Sequence, residues 1–340
     1  MIKNAHANDR RGFVLVTVLL LVVLLAGMLL EFNYESRMNL HVSDYRLQST
    51  RALWCAEAGV NAALAAIRDG EVEAGPTIPD ARNLRIADAG DCTVVVTLEN
   101  GKLNANGLRM PEGGAADCSL DRRRIECLLR LVDVLNRRYS RSSPIGYGIV
   151  PAIVDWTDPD CDLTHLPFVE RENEGAEDEY YQGLPHPHRC RNRPLDSVRE
   201  LLLVRGITAE IFDSPPRASD DDQAVPGLSR LVTVYGDGKI DINHAPPLVV
   251  ESLSELIDPG LAQSIVDHRP YASVGELATV PGMSMAVLNA IGSLITVRPA
   301  AGFYRIESVG RVGEFERRIA VIATKNCKTG SMTVLLREEP

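Results

Sequence analysis

The feature that most constrains this 340-residue chain is the run FVLVTVLLLVVLLAGMLL, eighteen uncharged residues from Phe13 to Leu30. At 1.5 Å per residue a helix of that length spans about 27 Å, close to the hydrocarbon thickness of a bilayer. Arg10 and Arg11 stand just before it, and basic residues at one flank keep that end on the cytoplasmic side. A removable secretory signal would end in a small-residue cleavage site of the A-x-A kind beyond the apolar run. The sequence instead continues LEFNYESRMNLHVSDYRLQSTRALWCAEAGVNAALAAIRDG, with no proline between Phe13 and Asp69.

That continuation reads as one helix. Leu53, Ala56, Val60, Leu64 and Ile67 recur at helical spacing and form one apolar stripe. Gly70 is a natural C-cap. The spacing predicts a helix of about 57 residues, roughly 85 Å long, its first third in lipid and its last third packed on a domain. A plain signal-anchor followed by a stalk fits these features as well.

A basic leader ending in glycine, then phenylalanine, then an apolar helix resembles the type IV pilins and the pseudopilins of type II secretion. The match of RRGFVLVT to that layout implies that prepilin peptidase cuts between Gly12 and Phe13, and that Phe13 is then N-methylated. Most members of that family carry Glu at the fifth mature position, where this chain has Thr17. A carboxylate in lipid costs several kcal/mol unless paired, and in the family it is thought to pair with the N-terminal amine of the neighbouring subunit. The minor pseudopilin of the K kind is the relative that lacks this Glu, which suits a subunit with nothing above it.

Composition is globular, and the formal charge of −10 becomes about −12 once residues 1–12 are set aside. An acidic surface disfavours nucleic acid and suits cations or basic partner faces. Seven cysteines are scattered without a CxxC pair, which argues against a zinc knuckle and leaves at least one thiol unpaired.

CTVVVTLENGKLNANG, residues 92–107, is β-branched on both sides of Asn100-Gly101 and predicts a hairpin. LVTVYGDGKIDINHA, residues 231–245, repeats that grammar and predicts a second. FYRIESVGR, RRIAVIATK and SMTVLLRE predict three closing strands. Between them LDRRRIECLLRLVDVLNRRY is an amphipathic helix with Ile125, Leu128, Leu129, Val132 and Leu135 on one face. LDSVRELLLVRGITAEIFD predicts a helix capped at Asp196 or Ser197 with Glu200, a stop at Gly206 and a third helix from Thr208. ASDDDQAVPGLS reads as an exposed linker. The fold class is therefore α+β: a pilin-type long N-terminal helix on an antiparallel sheet, with a large inserted, mainly α-helical domain. The expected divisions are a leader at 1–12 and a transmembrane helix at 13–32. The helix continuation and first strands follow at 33–109, the inserted domain at 110–230, a hairpin with helix-hairpin-helix-like turns at 231–300, and the closing strands at 301–340.

VRGI and VPGM between short helices resemble helix-hairpin-helix turns, which hold DNA phosphates in repair proteins. Such binding needs nearby cations, yet residues 246–292 offer only Arg269 against five acidic residues. Nucleic acid is not the expected partner.

The densest chemistry is acidic. Asp155, Asp158, Asp160 and Asp162 are followed by Glu174, Glu177, Asp178 and Glu179. Two carboxylate-rich loops can converge on a hard cation with six to eight oxygen ligands; a solvated acidic loop is the alternative. No EF-hand pattern is present, and Trp156, Tyr180 and Tyr181 suggest that the loops fold against a packed surface. The segments DWTDPD, GAEDEYY and RPLDSVRELLLVRGIT closely resemble the pseudopilin K signature. That resemblance, which also takes in GKIDINHAPP and the closing strands, implies calcium, held first by Asp158, Asp160, Glu177 and Asp178, with Asp155 and Glu174 next. Cys161 and Cys190 flank this stretch. A bridge between them would close a loop of about 30 residues and contribute roughly 3–4 kcal/mol; a free pair fits equally.

Catalysis is not expected. No G-x-S-x-G, HExxH, P-loop or G-x-G-x-x-G stands in a fitting context. His165, His186 and His188 could ligate zinc, but His186-Pro187-His188 reads as a turn. The resemblance implies a minor pseudopilin at the tip of the type II secretion pseudopilus, anchored by one span in the inner membrane lipid with its body in the periplasm. It would initiate or cap assembly with I- and J-type minor pseudopilins for export of folded proteins. A minor pilin of a type IV pilus or a DNA-uptake machine is the alternative.

Overall fold

A computed structural model describes residues 7–70, 80–86, 90–109, 120–138, 144–170, 173–213, 226–326 and 329–339. The first six residues of the expected leader, and most of the linker expected at 218–229, lie outside them. In chain order the elements begin with α1 (Ala7–Asp69), β1 (Asp80–Ile86), β2 (Gly90–Leu98) and β3 (Leu103–Asn104). The insertion holds α2 (Arg122–Arg138), α3 (Ile149–Thr157), α4 (Asp178–Gln182), α5 (Ala209–Phe212), β4 (Val232–Thr233) and β5 (Ile240–Asp241). It closes with α6 (Pro247–Ser252), α7 (Pro259–Asp267), α8 (Met285–Ile291) and β6 (Ile295–Thr296), ahead of β7 (Ala301–Val312), β8 (Phe315–Asn326) and β9 (Met332–Glu338).

The long helix forms as its unbroken pattern predicts. It stops at Gly70, which adopts φ +77° and donates its N–H to Ile67 O at 3.3 Å. Among the described residues α1 is the one helix long and apolar enough to cross a membrane, and its apolar window has no packing within the chain. Only its last third is covered. There Ala52, Cys55, Ala56, Val60, Ala63 and Ile67 are buried, while Leu53 and Leu64 flank this face rather than lead it.

The covering surface is a five-stranded antiparallel sheet in the order β1-β2-β7-β8-β9. Val94, Val96, Ile306, Ile319 and Val321 alternate inward to meet α1. The contact is close enough to require glycine: a Cβ on Gly310 would stand 2.1 Å from Ala52 O, and one on Gly59 2.4 Å from Ser308 Oγ. All three closing strands form where the sequence places them. Because β2 pairs with β7, the whole of the chain from 99 to 300 is an insertion between two neighbouring strands.

The two expected hairpins do not form. Glu99–Gly101 is a single 3-10 turn, after which β3 leaves the sheet and pairs in parallel with β4; β5 pairs in parallel with β6. Asn100-Gly101 serves tertiary contact instead. The Asn100 side chain donates to Ala301 O at 2.9 Å and accepts from Phe303 N–H at 2.7 Å, pinning the exit of the insertion to its return. Gly101 lets the His244 backbone pass, since an added Cβ would lie 2.3 Å from His244 O. Beneath this joint Glu99 is fully buried, with Oε1 2.6 Å from Lys102 Nζ and 3.0 Å from Arg305 Nε.

The insertion has one core. Leu128 and Val132 of α2, Ile153 of α3, Leu201, Val232, Val249 of α6, Ile265 of α7 and Ile291 of α8 belong to one buried cluster. The boundary expected at 230 therefore falls inside this core, and Leu103, Ala105 and Leu108 join it ahead of the boundary expected at 110. The helix expected after Ser197 is a 3-10 turn, Val198–Leu203, held by the predicted Ser197/Glu200 capping box. Thr208, Asp258 and Ser284 cap the short helices that follow.

Candidate metal centre

The acidic residues are brought together where α3 ends. Asp155 lies in the last turn of α3 and Asp158 is its C-cap; the chain then loops outward and returns through residues 173–177 into α4. Aromatic packing fixes the return. Trp156 and Tyr181, both buried, meet edge to face with centroids 5.0 Å apart, and the His188 ring lies 5.1 Å from Tyr181. Tyr180 stays partly exposed under the Arg205 guanidinium, 5.0 Å away.

Asp158, Asp160 and Glu177 each present an oxygen within 4.8 Å of the others. Ligands on opposite sides of an ion with bonds of about 2.4 Å stand about 4.8 Å apart, so the spacing suits one calcium-sized cation. The burial is unusual for carboxylates: Asp158 is 2% and Glu177 5% exposed, and Asp155 is fully buried. Asp158 Oδ1, both Glu177 oxygens and Asp155 Oδ2 have no hydrogen-bond partner. Asp155 Oδ1 is satisfied by the Thr164 N–H at 2.9 Å. The returning chain crosses so near Asp155 that a Cβ on Gly175 would stand 1.9 Å from its Oδ2.

Burial, then the nearby Asp155 charge, pushes the Glu177 carboxyl up to about 7. Burial likewise raises Asp155, and burial with the adjacent Glu177 pushes the Cys190 thiol up to about 12. Buried, mutually repelling carboxylates with orphaned oxygens are costly without a counter-charge.

Two members of the site escaped the sequence reading. Arg109 supplies part of the counter-charge, with Nη1 2.6 Å from Asp158 Oδ2 and Nη2 3.9 Å from Asp160 Oδ2. Asn192 sits in left-handed backbone at φ +48°, and its side-chain nitrogen donates to Asp160 O. That bond fixes the amide's orientation and leaves Asn192 Oδ1 buried and without a partner. The left-handed Asn in RNRP was the one available signal.

The other expected ligands stand apart. Asp178 Oδ1 accepts from the Cys190 N–H at 2.6 Å, and Glu174 is exposed on a bridge opposite His165. Cys161 and Cys190 are not bonded: Cys161 is exposed near Asn192, whereas the Cys190 thiol points inward to Asp155 O at 3.5 Å. Among the described residues His186 and His188 join no group of metal-binding side chains, and His188 Nδ1 meets His186 O at 3.2 Å. In the helix-hairpin-helix-like region Arg269 turns inward and donates to Ala245 O at 2.7 Å.

Known proteins resemble this chain. Residues 101–214 match the family described as type II secretion system (T2SS), protein K. The type II secretion system protein K of Aeromonas hydrophila is 27% identical over 192 residues, 56% of this chain and 53% of that protein. The match thus spans about half the length of that relative. A chain of the solved GspK-GspI-GspJ complex from the enterotoxigenic Escherichia coli type 2 secretion system superposes with a TM-score of 0.62 at 17% identity, covering 88% of this chain and 99% of that one. The shared fold is the pilin-type body with its helical insertion, and the segment carrying the acidic centre lies within residues 101–214, the part of the chain that matches the type II secretion system protein K family.

Proposed function

We propose that this chain is a minor pseudopilin of type II secretion that works by assembly and not by chemistry. In this reading Phe13 becomes the N-terminus after cleavage at Gly12 and is N-methylated, α1 anchors the subunit in the inner membrane, and the body stands in the periplasm. It joins I- and J-type minor pseudopilins at the pseudopilus tip. The observation that carries the reading is the placement of a bulky domain between adjacent strands β2 and β7 of a body whose α1 leaves its apolar third bare. Such a crown obstructs addition of a further subunit above it. Labelling of the chain on isolated pseudopili tests this: label confined to one end agrees, and label spread along the shaft overturns it.

We further propose that the acidic centre holds calcium. Asp158 and Glu177 supply buried carboxylate oxygens without other partners, Asp160 supplies an exposed carboxylate and Asp155 adds negative charge beneath, in support of a hard-cation site. Its role is to tie the outgoing loop of α3 to α4 and so stiffen the crown.

A further inference from the structure

Two cysteines line the seam between α1 and the sheet. Cys55 on α1 and Cys92 on β2 are each 1% exposed and belong to the same core cluster. Three glycines outline the space they share. A Cβ built on Gly90, two residues before Cys92 on the same face of β2, would stand 3.2 Å from Cys55 Sγ. One built on Gly59, a helical turn beyond Cys55, would stand 3.0 Å from Cys92 Sγ. Gly310 is the direct register partner of Cys92, and its added Cβ would stand 3.0 Å from Cys55 Cβ. Each sulfur thus occupies the room that the other's neighbouring glycine leaves open. Directly opposed Cβ positions in an antiparallel pair are about 5 Å apart, so the Gly310 position links the two cysteines and holds their Cβ atoms within about 8 Å of each other; a disulfide brings them to about 3.5–4.5 Å.

We propose that Cys55 and Cys92 form a disulfide that staples the anchoring helix to the sheet. This goes beyond the pseudopilin reading and takes from it only an oxidising compartment. The oxidant is a small or protein disulfide. The Cys92 thiolate attacks one of its sulfurs and expels a thiolate, giving a mixed disulfide. The Cys55 thiolate then displaces the second thiol, so that two protein thiols and one disulfide become one protein disulfide and two thiols. Burial raises the Cys55 thiol, followed in effect by the Asp91 charge, so the exchange belongs to folding, before α1 seals the seam.

The test refolds the reduced full-length chain in detergent with a reduced/oxidised glutathione buffer, then alkylates under denaturing conditions without reductant and digests with trypsin. Cleavage at Arg51, Arg68, Arg85 and Lys102 releases Ala52–Arg68 with Cys55 and Ile86–Lys102 with Cys92. The expected product is these two peptides joined, separating on reduction. Recovery of both peptides alkylated, or of either bonded to another cysteine, overturns the proposal. In Cys55→Ala the expected result is Cys92 alkylated.

Discussion

Thr17 donates its hydroxyl to the carbonyl of Phe13, one turn back on α1, at 2.8 Å. The polar group is satisfied within its own helix, so nothing in lipid is left for a neighbouring subunit to neutralise. Replacing the hydroxyl by a methyl should therefore change little. We expect Thr17→Val to be recovered with I- and J-type pseudopilins at close to the native level, and Thr17→Glu, whose carboxylate has no internal partner, to be recovered less well. Quantitative co-purification from detergent extracts checks both, and loss of recovery in Thr17→Val would contradict the argument.

Chelation should loosen the crown. A cation present at 100 times its dissociation constant stabilises the folded state by about 2.7 kcal/mol, which for a domain of this size is a melting shift of roughly 5–10 °C. EDTA should lower the melting temperature of the crown by about that amount, and added calcium should restore it. Glu177→Gln should melt at the same temperature with and without calcium. An unchanged transition in the native chain after EDTA would remove the metal from the account.

The same carboxylate sets a pH dependence. Glu177 in the folded, metal-free chain sits at about 7, above its ordinary value of 4.5, so the folded state holds its proton more tightly than the unfolded state. Its contribution is present below about pH 4.5 and is lost as pH rises through about 7, by up to about 3 kcal/mol. Metal-free protein should lose stability across that window, and Glu177→Gln should flatten the loss. Calcium affinity should run the other way and weaken as pH falls through 7, because the ligand must be ionised. Denaturant titrations at pH 5, 6, 7 and 8 with EDTA resolve the first effect.

Asn192 separates geometry from charge. Its Oδ1 is buried and unpartnered beside Asp160, in backbone at φ +48° that favours Asn, Asp or Gly. Asn192→Gly should keep the turn and lose the oxygen, weakening calcium binding by about tenfold, the scale of one lost ligand or supporting contact. Asn192→Asp should keep most of the affinity. Terbium luminescence and calorimetry report this directly, and equal affinity in Asn192→Gly and the native chain would exclude Oδ1 as a ligand.

What the sequence disclosed follows from what is local. The long helix, α2, the closing strands and the Ser197/Glu200 box rest on periodicity or capping within a few residues, and they form as expected. The hairpin at Asn100-Gly101 fails because both residues answer to distant backbone, at Ala301, Phe303 and His244, and no short-range signal records that demand. The acidic centre is half legible. DWTDPD and GAEDEYY announce carboxylates, but which of them converge depends on the crossing at Gly175 and on Asp178 being spent on the Cys190 N–H. Arg109 belongs to a different segment altogether. The extent of the crown's core was hidden because its short helices, joined by Pro-Gly turns, are too brief to show a period.

The joint between body and crown yields the last prediction. Glu99, Lys102 and Arg305 lie at the point where the chain leaves the sheet, and the fully buried Glu99 oxygen is shared by both cations. Burial alone would raise the Glu99 carboxyl, but Lys102 and then Arg305 hold it below its ordinary value. Removing one partner of a buried pair leaves an uncompensated charge and typically costs about 3–5 kcal/mol, whereas removing both can be nearly neutral. Arg305 still faces Glu99 when Lys102 is gone, so Lys102→Met should cost less, about 2–3 kcal/mol. Adding Glu99→Gln to Lys102→Met should deepen that loss, since the largely buried Arg305 guanidinium then loses its carboxylate partner. A double-mutant cycle in urea measures the coupling. Equal stability of Lys102→Met and the native chain would show that the joint rests on the Asn100 bonds and the Gly101 contact alone.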